Sequence, residues 1–157
     1  HALSTVRIVS IRRPQREPEV SIACFRMATG DKVANSFDFG GIASPVSLDD
    51  GVLGPGALMH VDLAEPIRQH PDAGASIAGR SLPPWAAVKA LALAAHAAFP
   101  TMASVGWDIA ITDAGPILVE GNAVWGVDLP QLAHRMQLGD SVIPECIVER
   151  LNLVDAA

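Results

Sequence analysis

Gly106-Trp107-Asp108-Ile109-Ala110-Ile111-Thr112 and Gly115-Pro116-Ile117-Leu118-Val119-Glu120-Gly121-Asn122 flank the turn pair Asp113-Ala114. Both runs alternate with the two-residue period of a strand, so together they read as a β-hairpin. Pairing Ile111 with Ile117 across a five-residue loop sets Asp108 directly opposite Glu120. Side-chain parity then places Asp108, Glu120 and Asn122 on one face. Trp107, Ile109, Ile111, Ile117 and Val119 fall on the other, which is wholly apolar. A slip of one residue would mix the two sets, so the apolar face supports this register by itself.

Two carboxylates facing each other across a strand pair repel, and a divalent cation between them removes that cost. Two carboxylates and one amide oxygen are hard donors. They suit Mg2+, or Mn2+ in its place, with water and phosphate oxygens completing the octahedron. Neither thiolate nor imidazole belongs to the cluster, which argues against zinc. The competing reading is an ordinary hairpin with an exposed polar face, because D-x-I and E-x-N strings are common.

Outward from the hairpin, the chain alternates strands, loops and one strong helix. Ser4 to Ile11 places Val6 and Ile8 on one face and Arg7, Val9 and Ile11 on the other. Arg12 to Glu19 reads as an exposed turn, Ser21 to Ala28 as a second strand, and Val33 starts a third. Ile42 to Leu48 forms a further strand, after Gly40-Gly41 break the regularity. Gly51 to Arg80 has no clear period and is rich in Gly, Pro and His, which marks a functional or mobile segment. Pro83-Pro84 open the helix, whose Trp85, Val88, Leu91, Ala95 and Phe99 follow at helical spacing up to Pro100. Short helices are expected around Pro130–Arg135 and Pro144–Leu151. The order predicts an α+β fold with a largely antiparallel sheet packed by helices, over one domain spanning 1–157.

Composition narrows the function classes. Half of the 157 residues are hydrophobic and 18% are charged, so the chain has a core to bury. A net charge of −6 disfavours nucleic acid and anionic membrane surfaces as partners. The longest unbroken apolar run, Ala90 to Ala95, is too short to insert in a membrane. Cys24 and Cys146 stand apart in apolar contexts and read as buried free thiols of a cytoplasmic protein. Self-association stays open.

The hairpin resembles the metal-binding end of ATP-grasp enzymes, and most closely that of the sugar-transfer-associated ATP-grasp group. Further matches are Ser4-Thr5-Val6-Arg7-Ile8-Val9, Asn35 with Gly40-Gly41, His70-Pro71-Asp72, Pro83-Pro84-Trp85 and Gln131. The resemblance implies the C-terminal lobe of a longer fold. In that lobe Asp108, Glu120 and Asn122 hold Mg2+ (or Mn2+) on the phosphates of ATP. Arg7 contacts phosphate or the acyl-phosphate being formed, and Asn35, Gly40 and Gly41 line the same cleft. The implied activity is that of a ligase. It phosphorylates a small-molecule carboxylate and lets an amine or thiol displace the phosphate, in polysaccharide or sugar-conjugate synthesis. Such chemistry needs positioning and charge neutralisation rather than a covalent nucleophile.

The resemblance also implies a preceding lobe that supplies the adenine pocket and a phosphate-binding lysine. Neither Lys32 nor Lys89 occupies that lysine's place. The alternative is therefore a non-catalytic interaction module derived from the same fold. A third reading, a metal-dependent hydrolase, rests on the repeated His60-Val61-Asp62 and His70-Pro71-Asp72. His96, inside the helix, is expected to be partly exposed. Trp125 is expected either to pack or to stack on a ligand.

Overall fold

The structure is a computed structural model and describes residues 3–30, 41–58 and 65–155. Six strands are described: β1 (Thr5–Ile11), β2 (Glu19–Met27), β3 (Ile42–Pro45), β4 (Ala57–Leu58), β5 (Ser104–Thr112) and β6 (Gly115–Asn122). They form one antiparallel sheet in the order β4-β3-β2-β1-β5-β6. Three helices accompany it: α1 (Trp85–Ala97), α2 (Asp128–His134) and α3 (Ile143–Asp155). The α+β expectation holds. The strand expected from Val33 lies outside the described residues, as do Asn35 and Gly40.

β1 sits in the middle of the sheet and every one of its seven residues is buried. Its alternation feeds two separate cores. On one face Val6 and Ile8 pack with Trp107 and Ile109 of β5, and α1 supplies Trp85, Val88 and Ala92. Leu53, Ile77 and Leu82 join that core from the irregular third of the chain. That segment is laced to itself by isolated bridges such as Val52 to Ser81 and Gly56 to Ile67. On the opposite face Val9, Ile11 and Ile22 meet Trp125, Ile143 and Cys146, while Cys24 and Ala43 meet Leu129 and Ala133 of α2. Helices on both faces explain why a central strand can be apolar on both sides.

The α1 stripe differs from the expected one. Trp85, Val88, Ala92 and His96 are its buried residues, and Phe99 is 53% exposed. His96, expected partly exposed, is fully buried. Its Nδ1 lies 2.6 Å from Ser10 Oγ, which also accepts the Trp107 indole N–H at 2.8 Å. Its Nε2 lies 3.2 Å from the Met102 carbonyl. A carbonyl only accepts, so the proton belongs on Nε2 and Nδ1 accepts from the serine. Every polar group in this buried chain is satisfied, which is what makes an imidazole tolerable there. Burial also pulls the His96 pKa below its ordinary value.

Candidate functional site

The hairpin register decides which side chains meet. Near the turn Ile111 pairs with Pro116, Ala110 with Ile117 and Ile109 with Leu118. The expected Ile111–Ile117 pairing is therefore off by one, because the turn is two residues long. Thr112 Oγ1 closes it, accepting from the Ala114 N–H at 3.2 Å and donating to the Gly115 carbonyl at 2.8 Å. The shift is undone between Asp108 and Ile109, where β6 inserts Val119 as an extra residue. Asp108 consequently does stand opposite Glu120. The tip pays no heed to the expected apolar face: Ile117 and Val119, on the edge strand, are 53% and 51% exposed.

Asp108 is 4% exposed and Arg7, its Cα partner on β1, is 8% exposed. The two make a bidentate pair, Nε to Oδ1 at 2.5 Å and Nη2 to Oδ2 at 2.8 Å. Arg26 of β2 adds a third bond, Nη1 to Oδ2 at 2.8 Å. Burial alone would raise the Asp108 pKa, but Arg7 foremost, then Glu120 and Arg26, hold it below its ordinary value. The repulsion between facing carboxylates is thus met by two guanidinium groups, a compensation the hairpin sequence could not reveal. Arg26 lies on β2, outside the hairpin motif. Strand parity carries its signal, since Arg26 pairs with Thr5 and so shares the sheet face of Arg7.

Two glycines let this arrangement close. A Cβ at Gly106 would lie 2.4 Å from Trp125 Cβ and 3.2 Å from Arg7 Cδ. Their absence lets the Trp125 backbone settle on β5, where its carbonyl accepts Arg7 Nη1 at 2.7 Å. Trp125 itself is 8% exposed in the second core, so it packs. A Cβ at Gly121 would lie 2.5 Å from the Trp107 ring, on the other side of the sheet.

Glu120 is exposed and Asn122 half-buried, and Asn122 Nδ2 donates to Glu120 Oε1 at 3.1 Å. Among the described residues no three His, Cys, Asp or Glu side chains converge as a metal cluster. What converges is two carboxylates and an amide. An ionised carboxylate offers roughly four acceptor positions, and the arginines use three on Asp108. Glu120 and Asn122 therefore fit a hard cation well, with Asp108 limited to a single further bond.

His70 and Gln131 serve the backbone instead of the cluster. Gly41 is buried just ahead of β3. His60 and Asp62 lie outside the described residues. His70 binds backbone through both ring nitrogens: Nε2 reaches the Ala28 carbonyl at 2.8 Å, and Nδ1 takes the Asp72 and Ala73 N–H groups. Asp72 Oδ2 accepts the Gly30 N–H at 2.6 Å. The His70–Asp72 loop thus fastens the end of β2. Gln131 Oε1 accepts the Leu138 N–H at 2.9 Å and orders the turn after α2. Cys24 and Cys146 are free and buried. Burial pushes the Cys24 thiol up to about 12 despite the Arg7 charge beside it, so it supplies no thiolate nucleophile.

The family model for sugar-transfer associated ATP-grasp matches residues 1–142. The chain belongs to this family. The match takes in β1, the hairpin and α2, and so every residue of the Arg7–Asp108–Glu120–Asn122 cluster. The antiparallel sheet flanked by helices is that of an ATP-grasp lobe, and the fold implies ATP binding. No curated protein matches the chain. Among the described residues, no helix of this ATP-grasp lobe is long and apolar enough to cross a membrane.

Proposed function

We propose that this lobe binds Mg-ATP on the sheet face that carries Arg7, Asp108, Glu120 and Asn122. There it serves an ATP-grasp ligase of sugar-conjugate or polysaccharide synthesis in the cytoplasm. The observation that carries the reading is the Asp108–Glu120 cross-strand pair, with Asn122 hydrogen-bonded to Glu120 and arginines behind it. Glu120 and Asn122 would hold magnesium, with one further oxygen from Asp108. The bound ion would supply neutralisation of charge on the transferring phosphoryl group.

The chain's own residues do the rest. Arg7 keeps Asp108 ionised and fixed in orientation through two parallel bonds. Three of the five guanidinium N–H donors of Arg7 go to Asp108 and the Trp125 carbonyl. The remaining donors are those a phosphate or acyl-phosphate oxygen would meet. The proposed substrate is a small-molecule carboxylate, activated as its acyl-phosphate for attack by an amine or thiol. Asn35 and Gly40-Gly41 would line the cleft from the β2–β3 connection.

Calorimetric titration of Mg2+ into the chain with ATP present tests this reading. Glu120→Ala should weaken the saturable heat at least tenfold. Equal heats from parent and variant would discard the metal assignment and favour a non-catalytic module.

A further inference from the structure

At the far end of β1, five residues beyond Arg7 and so about 17 Å along the strand, the chain gathers a second set of cations. Arg12, Arg13, Arg16 and Arg150 line a cavity of about 360 Å3 together with Gln15 and Glu17. Their charges are balanced unequally. Arg13 is saturated by carboxylates: Glu149 at 2.5 Å, Glu145 at 3.3 Å and Glu19 at 3.4 Å. Arg150 instead spends its nitrogens on the carbonyls of Arg12, Thr101 and Pro100, at 3.1, 2.8 and 3.2 Å. Carbonyls satisfy N–H groups without cancelling a charge.

Arg12 is in the same position. Its Nε donates to the Arg16 carbonyl at 3.0 Å, and its one carboxylate partner among the described residues is Glu17 at 3.5 Å, whose side chain is 87% exposed. The Arg12 side chain is itself only 14% exposed. Its Nη1 is buried and has no hydrogen-bond partner among the described residues. An unsatisfied donor on a guanidinium without a buried counter-charge is costly, and an anion nearby lowers that cost by offsetting the charge. Three guanidinium groups thus face one solvated carboxylate, in a chain whose net charge is −6.

We propose that this cavity is an anion site for a phosphate dianion, free or as the terminal group of a small phosphate ester. Planar guanidinium forks match tetrahedral oxyanions by paired N–H bonds, and the three arginines besides Arg13, with no lysine, favour that mode. The cavity volume falls in the range of small-molecule sites, which leaves space beyond a bare phosphate. The site stands apart from Asp108 and Glu120 and needs no metal.

The test is a titration of the full chain, in EDTA and low salt, with inorganic phosphate in one arm and glucose 1-phosphate in the other. Binding is followed by calorimetry and by amide shifts in nitrogen–proton spectra. Saturable shifts gathered at residues 12–17 and 100–103 are expected in at least one arm. The tighter arm identifies the free anion or the ester. Arg16→Glu, at an exposed position, should weaken that binding at least tenfold while leaving the thermal midpoint unchanged; Arg12→Gln should weaken it as well. No saturation in either arm, shifts centred elsewhere, or full binding by Arg16→Glu would overturn the proposal.

Discussion

Asp108 remains charged inside the sheet because two arginines reach it, one from the adjacent β1 and one from β2 beyond it. Removing one of them leaves a buried carboxylate half-compensated. Arg7→Ala is expected to cost about 3–5 kcal/mol, as breaking buried ion pairs does; equilibrium denaturation reads this directly, and a loss below 1 kcal/mol would contradict it. The pH dependence has a definite sign. The folded-state pKa of Asp108 is depressed, so its contribution is complete above the ordinary 3.8 and is lost as pH falls through the lower folded value. His96 and His134 are also depressed, chiefly by burial. Their contribution is complete above the ordinary 6.5 and declines as pH drops below it. Thermal midpoints should therefore begin to fall below about pH 6.5, and His96→Gln should flatten that first decline. An unchanged slope in the variant would refute the buried Ser10–His96–Met102 chain as its source.

The hairpin was legible in outline and misread in detail. Alternation alone located both strands and the Asp108–Glu120 pairing. It did not reveal the two-residue turn held by Thr112, nor the Val119 bulge that corrects for it. Two errors of one residue cancel at the functional end of the hairpin. The glycines flanking Asp108 and Glu120 have a packing reason visible only in three dimensions. Gly106→Ala drives a methyl into Trp125 and against Arg7. It should cost about 1–3 kcal/mol by overpacking and loosen the Arg7–Trp125 bond, read as lost protection of the Asp108 and Trp125 amides in hydrogen exchange. Retained protection would mean that Trp125 shifts freely. The α1 stripe was misplaced for a related reason. His96 looked like a surface residue because its partners, Ser10 and Met102, lie on other elements.

At the scale of the molecule, the sheet separates two tasks. One face is closed by α1 and the laced segment around Leu53 to Leu82, which gives the sheet its larger core. Among the described residues the other face is covered by α2 over β2–β3 and by α3 at the far end of β1. The Arg7–Asp108–Glu120 cluster belongs to this second face. His70 fastens a loop instead of facing the cluster, so the sequence pattern H-x-D carried structural information that its chemistry alone concealed. Paramagnetic broadening by Mn2+ in the presence of ATP tests the central assignment most directly. Amides of Asp108 and of Glu120 to Asn122 should broaden first, at substoichiometric Mn2+. Broadening centred on His70–Asp72, or none at the hairpin, would contradict it.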